Sequence, residues 1–340
     1  MHSHAWAGFS GGSGVYAFFV LSGFLITTLL SRQQRRASGR VRLRAFFVRR
    51  AFRILPLYLV VLSVYVVLVI VLGRYPEKRA ALTYALPYFL TFTNEVPVYL
   101  SHFHGPIPFF PAWSLGVEEK FYLAWPVLGF LALRNARSRV VALLAGTIVL
   151  QALYAFSQPV WSRWYAAILV GCLLGVALDD EGMHRIVKRL APRFSPVTPV
   201  LALLACHLAL GRHWVAAAIA YPWIVAWIIL GFVLLDSPTT RAAGSFVAGR
   251  IGSRSYGMYL VQLLAIDAAL KVFAPSSTVL PRTIAGYLLA VALCFAAADA
   301  LHRLVEAPMI ARGRRLAARL QPERATALAT APVSPRLADT

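Results

Sequence analysis

Long apolar runs alternate with short, cation-rich segments along almost the whole of this chain. Nine runs stand out: Val15–Leu30, Ile54–Leu72, Phe121–Leu133, Val140–Phe156, Tyr165–Leu178, Val197–Leu210, Trp214–Leu235, Tyr256–Phe273 and Ile284–Leu301. A helix that crosses hydrocarbon needs about 20 mostly apolar residues, fewer where its flanks assist. The pattern therefore predicts an all-α polytopic membrane protein, a bundle of about nine transmembrane helices. The sharpest boundary lies between Gly11 and Tyr58. There GGSGVYAFFVLSGFLITTLL gives way to SRQQRRASGRVRLRAFFVRRAFR and then to ILPLY. Each arginine in hydrocarbon costs roughly 2.5–3.5 kcal/mol on insertion scales. The arginine block is thus a loop held on one side of the membrane.

Excess Lys and Arg marks the cytoplasmic side. With the Arg32–Arg53 loop inside, the inside segments carry nine, three, four, three and seven basic residues. The outside segments carry seven: Arg74, Lys78, Arg79, Lys120, Arg163, Arg212 and Arg282. The bias predicts a cytoplasmic C-terminus. Nine spans then put the N-terminus outside. Met1–Gly14 has no signal sequence, no charged residue and no apolar run. It reads as the tail of an earlier helix, so the recorded start is expected to be late or a first helix lost.

Composition agrees with the pattern. Of the 340 residues, 59% are hydrophobic and 14% charged, against about 25% charged in a soluble domain. The net charge of +21 would suggest nucleic acid in a soluble protein. Here the cations sit in loops and tail, where orientation and anionic headgroups account for them. No nucleic-acid partner is expected. Cys172, Cys206 and Cys294 lie in apolar runs without ligand spacing and read as buried free thiols. The largest outer loop, Gly73–Lys120, is rich in Pro and aromatics, and its Ala80–Phe92 stretch reads as a re-entrant or interfacial helix. The chain divides into a transmembrane region, 1–311, and a basic then Ala/Pro-rich tail, 312–340, disordered after about Leu320.

Three constellations are candidates for chemistry. His2 and His4 precede the Gly11-Gly12-Ser13-Gly14 turn. They are either general-base candidates or solvated residues on a frayed terminus. Arg50 and Arg53 share a helical face beside Arg49. They either grip phosphates with bidentate guanidinium forks or anchor the loop. Glu118 and Glu119 sit at the mouth of a span in Trp113-Ser114-Leu115-Gly116-Val117-Glu118-Glu119. Paired acids there need partners or work; the alternative is the favourable N-terminus of a helix. Successive helical residues point about 100° apart, so only one of the pair faces the interior. Trp113, Tyr122 and Trp125 read as an interfacial belt, and Arg163-Trp164-Tyr165 as an interface anchor. Asp267 and Lys271, four apart within an apolar run, are expected to pair. Ser255-Tyr256-Gly257-Met258-Tyr259 carries hydroxyls along one helix side, and Glu306-Ala307-Pro308 closes the last helix. Metal-ligand spacing, a P-loop and a dinucleotide fingerprint are missing from the sequence.

Taken in order, GGSGVYAFFVLSGFLIT, FFVRRAFRILPLY, WSLGVEEKFYLAWP, SYGMYLVQ and LVEAP resemble the motif set of the acyltransferase-3 family of integral-membrane O-acyltransferases, over roughly residues 1–310. The resemblance implies a ten-helix bundle, with most of the first helix missing here. It also implies transfer of an acyl group, often acetyl, from cytoplasmic acyl-CoA to sugar hydroxyls of glycans or glycosylated small molecules. No cofactor is implied; acyl-CoA, in the first instance acetyl-CoA, is a co-substrate. By resemblance His4, or else His2, is the catalytic base, Glu118 and Glu119 belong to the catalytic motif at the fourth helix, where a Glu orients the imidazole, and Arg50 and Arg53 with Arg49 meet acyl-CoA. Gly11, Gly12, Trp113, Ser114, Tyr256 and Tyr259 fall in the substrate-binding motifs. Two departures bear on acceptor choice or on local hydrogen bonding: Tyr16 stands where many members have Asp, and Gln262 where many have His. The rival reading is an exporter of a small hydroxylated molecule, which intramembrane acids and an aromatic outer loop would suit; the internal repeats frequent in transporters are not found. A non-catalytic scaffold would leave both the Arg pair and the Glu pair without purpose.

Overall fold

A computed structural model describes all residues except 1–10, 37–40, 101–106, 134, 191–200, 207–214, 235–245, 274–279 and 321–340. The described residues form helices and no strand. In chain order these are α1 (Gly11–Arg36), α2 (Leu43–Val66), α3 (Pro76–Leu90), α4 (Trp113–Val127), α5 (Ala136–Ser157), α6 (Val160–Asp179), α7 (Glu181–Leu190), α8 (Val215–Leu234), α9 (Phe246–Val272), α10 (Leu280–Leu301) and α11 (Ala307–Arg319). Residues 201–206 are also helical. Single π-helical turns extend α2 through Val67–Val71 and α4 through Leu128–Ala132, and join α10 to α11 through His302–Glu306.

Six of these helical stretches are long and apolar enough to cross a membrane: Gly14–Arg35, Leu43–Val71, Ala136–Ser157, Val160–Asp179, Val215–Leu234 and Ile284–Arg319. Each contains or overlaps one of the nine apolar runs. Two of the remaining runs do not reach that threshold, because their helices carry charged residues. The Phe121–Leu133 run continues a helix whose first turns carry Glu118, Glu119 and Lys120. The Tyr256–Phe273 run lies on a helix that carries Arg250, Arg254, Asp267 and Lys271. Val197–Leu210 is described only at 201–206. The Ala80–Phe92 stretch is the body of the 15-residue α3, too short to span and opened by Pro76 in its first turn.

The chain folds as two compact units. One comprises residues 1–41 and 75–251; the other comprises 42–74 and 252–340.

In the first unit α1 packs along α6, and α5 and α8 flank α6. The sequence reason is small residues at the crossing. Gly23 of α1 lies on the backbone of Ile168, and Gly171 of α6 lies on the backbone of Val20. A Cβ at Gly175 would stand 2.9 Å from Thr27. Gly171 and Gly175 form the small-xxx-small spacing that lets helix backbones approach in apolar surroundings. α4 is tied to α1 by one buried bond, Trp125 Nε1–H to Thr27 Oγ1 at 2.9 Å. Its C-terminal turn is held by Arg139, which is itself buried. The Arg139 guanidinium donates to the carbonyls of Gly129 at 2.6 Å and Leu133 at 2.9 Å, donates to Gln34 Oε1 at 2.8 Å, and lies 4.1 Å over the Phe130 ring.

In the second unit α11 packs along α2. Gly313 sits on Phe52, where a Cβ would come within 3.0 Å of the ring. Pro56 removes a donor inside α2, and the Tyr256 hydroxyl donates to the nearby Ile54 carbonyl at 3.0 Å. Asp299, in an apolar run, is paired with Arg254 at 2.9 Å and Arg303 at 2.6 Å. Lys271 and Asp267 pair at 2.9 Å as their spacing predicts. Cys172 and Cys294 are buried free thiols, and Cys206 is half-buried.

Candidate active site

The candidate carboxylates are set by α4 in the first unit. The helix begins at Trp113, so Glu118 is its sixth residue and lies beyond the first turn. The helix N-terminus therefore does not account for it, and that alternative is set aside. Glu118 is 2% exposed, and the Tyr122 hydroxyl one turn later donates to its Oε2 at 2.7 Å. Glu119 is half-buried. One acid of the pair thus faces the interior and the other its edge, as the 100° rotation per residue requires. Burying a carboxylate is costly unless hydrogen bonds hold it, so the Glu118–Tyr122 pair is a deliberate feature of this helix.

The same helix turns another face to the loop that precedes it. Gly116 meets the chain at Phe92–Glu95. A Cβ there would stand 2.6 Å from Glu95 Oε2, 2.9 Å from the Asn94 backbone nitrogen and 2.9 Å from the Phe92 carbonyl. Glu95, 7% exposed, forms an ion pair with Lys120, one turn beyond Gly116. The buried Asn94 side chain donates to the Ala112 carbonyl at 2.7 Å. The loop therefore clamps the entry of α4 and fixes where Glu118 lies. Glu95 and Asn94 were not singled out from sequence. The available signal was a lone acid between Glu77 and Glu118.

Two sequence expectations are corrected here. Trp113, Tyr122 and Trp125 do not form an interfacial belt: all three are buried inside the unit, and Trp125 and Tyr122 spend their polar atoms on Thr27 and Glu118. Trp164 is 1% exposed and stacks within 4.6 Å of Trp113, so Arg163-Trp164-Tyr165 is not a surface anchor either. Ser114 is fully buried beside them.

The arginines lie on α2 in the second unit. Arg49 and Arg50 are half-buried and Arg53 is exposed, so the pair on one face runs from the packed interior to the surface. Tyr256, bonded to Ile54, and Tyr259 are half-buried on α9. A further dyad was not anticipated: His302 Nδ1 and Glu306 Oε2 lie 2.8 Å apart in the π-helical turn, with Glu306 2% exposed. The i,i+4 spacing was readable; the burial was not. Gly11 and Gly12 open α1. His2 and His4 lie outside the described residues.

The acyltransferase domain family matches residues 1–299 of the chain. Among curated proteins, the peptidoglycan O-acetyltransferase OatA of Listeria monocytogenes is 26% identical over 332 residues, covering 88% of this chain and 51% of that protein. The putative peptidoglycan O-acetyltransferase YrhL of Bacillus subtilis is 27% identical over 281 residues, covering 73% and 43%. A putative O-acetyltransferase of Staphylococcus aureus (strain COL) is 32% identical over 120 residues, covering 34% and 19%. The chain spans about half the length of the first two relatives. No solved structure matches it.

Proposed function

This chain belongs to the acyltransferase-3 family, and on that premise we propose that it is an integral-membrane O-acyltransferase that moves an acetyl group from cytoplasmic acyl-CoA to a hydroxyl of a glycan. The observation that carries the reading is a family match over residues 1–299 whose central motif sets a buried, hydrogen-bonded Glu118. The relatives' names make peptidoglycan the first acceptor to try.

In the proposed reaction the acceptor oxygen attacks the thioester carbonyl carbon, and His4 takes the hydroxyl proton. The C–S bond then breaks, and the departing thiolate receives that proton, leaving ester and free CoA. A positioned base contributes about 10²–10⁴-fold. Glu118 and Glu119 order the polar groups of the site. Arg50, Arg53 and Arg49 hold the CoA phosphates. Residues 1–311 form the transferring region, with 312–340 as a cytoplasmic tail whose first turns belong to α11. The test is transfer of label from acetyl-CoA to a glycan acceptor in membranes that contain the chain. Label that stays on CoA, alongside export of a hydroxylated solute, would favour the transporter reading.

The donor role has its own test. Arg→Lys keeps charge but loses the bidentate fork. The double replacement R50K/R53K is expected to raise the KM for acyl-CoA about tenfold at equal expression. An unchanged KM would mean that the two arginines only anchor the loop. Topology is tested by single-cysteine labelling in a background without native cysteines. A Cys at Glu77, exposed on α3, is expected to react from outside, and a Cys at Ser38 only after permeabilisation. The opposite pattern overturns the cytoplasmic placement of the donor.

A further inference from the structure

One cluster in the first unit has no part in the chemistry above. Arg163 stands in the first turn of α6. Its guanidinium carbon lies 5.2 Å from the ring centre of Tyr16, at the start of α1, and 5.6 Å from that of Tyr154, at the end of α5. Its Nη1 donates to the Tyr154 hydroxyl at 3.3 Å. Its Nε is excluded from water and has no hydrogen-bond partner. No described carboxylate lies within ion-pair distance of it. Half-buried cations in such surroundings ordinarily find an acid.

Around the guanidinium the walls are aromatic. Tyr221 packs edge-on to Tyr16 at 6.1 Å, and Tyr99 packs on Trp113 at 4.9 Å and on Trp164 at 5.0 Å. Burial raises the Tyr99 hydroxyl above its ordinary pKa, and the Arg163 charge acts against that rise. Tyr99 is 39% exposed, so part of its ring lies at the surface. The beginnings of α1, α4 and α6 and the end of α5 all meet here, at one end of the unit.

We propose that Arg163 with the rings of Tyr16, Tyr154 and Tyr99 is a binding site for an anionic saccharide, with a carboxylate on the guanidinium and the apolar face of the sugar on the rings. The chemistry matches on both counts. A guanidinium binds a carboxylate by charge-assisted hydrogen bonds, and no described carboxylate already holds this one. Small-molecule sites are mostly aromatic with a few placed polar groups. An anionic lipid headgroup would satisfy the charge but has no use for the ring faces. The inference rests on the reading above in that this saccharide is the acceptor.

The test is binding, without acyl-CoA, to the purified full chain in nanodiscs of neutral lipid. The probes are an oligosaccharide of alternating N-acetylglucosamine and hexuronic acid, and the same oligosaccharide with its carboxyls methyl-esterified, followed by tryptophan emission and saturation-transfer NMR. The acid form is expected to bind at least tenfold more tightly than the ester. R163Q is expected to erase that preference and R163K to cut it about threefold. Y99A is expected to weaken both forms alike. If R163Q fails to fold, the R163K result decides. Equal binding of acid and ester, no binding of either, or an acid preference that survives in the Arg163 variant overturns the site. So does a tryptophan response to phosphatidylglycerol in the discs that the saccharide cannot displace, which would make it a lipid site. A chain that prefers the acid saccharide yet never acylates keeps this site and loses the transferase reading. One that acylates glycans without acid preference does the reverse.

Discussion

Glutamine in place of Glu118 is expected to lower acyl transfer by about two orders of magnitude while the protein stays folded in the membrane. The Glu118 side chain is 2% exposed and accepts the Tyr122 hydroxyl at 2.7 Å. Glutamine has the same shape, and its amide oxygen can accept that bond, so packing survives. What disappears is the capacity to carry a negative charge, which in a dry interior acts far more strongly than in water. If the carboxylate orders the reacting groups, its loss falls within the range of a general acid–base contribution, about 10²–10⁴. If it only supports α4, E118Q works at the parent rate, and removing a buried charge even raises the unfolding temperature. Y122F separates the two readings again, since it keeps the charge and removes only the donor. It is expected to cost less than tenfold. The measurement is initial rate of acetyl transfer per mole of protein, beside a melting curve. H4A is expected to fall as far as E118Q or further, and H2A to cost less. Parent activity in H4A would remove the base from this end of the chain.

Gly116→Ala is expected to cost about 2–3 kcal/mol of stability, or to prevent folding. The new methyl would meet Glu95 Oε2 at 2.6 Å, the Asn94 nitrogen at 2.9 Å and the Phe92 carbonyl at 2.9 Å. The first is the end of a side chain and can swing away, breaking the pair with Lys120. The other two are backbone atoms of a loop held by the Asn94 bond to Ala112, and they cannot yield without moving the loop. E95A in the same chain is therefore expected to restore little. Unfolding midpoint in detergent, with retention on gel filtration, reads the effect. A G116A protein as stable as its parent would mean that the loop is not clamped on α4. Full rescue by E95A would mean that only the carboxylate was in the way.

Much of the architecture was legible in the sequence because apolar length is a local property. Six of the nine runs lie in helical stretches able to cross a membrane, and the pairing of Asp267 with Lys271 followed from helical spacing alone. The single inward acid followed too, since rotation per residue does not depend on what the helix packs against. Family membership was legible for a different reason: the motifs occur in order, and the family match covers residues 1–299.

Burial was not legible, and the errors share that cause. Trp113, Tyr122, Trp125 and Trp164 at the ends of apolar runs carry the composition of a membrane-interface belt. A tryptophan that reaches headgroups and one that reaches Thr27 look the same along the chain. Only the meeting of α1, α4 and α6 decided between them: glycines bring α1 onto α6, and Gly116 brings α4 onto the chain at Phe92–Glu95. The same approach placed Glu95 against Lys120, 25 residues away, and left Arg163 among tyrosines without a carboxylate. The sequence by itself determined where helices run and which residue types they offer. The tertiary structure decided which of those residues lose water, because exclusion of water depends on neighbours far along the chain.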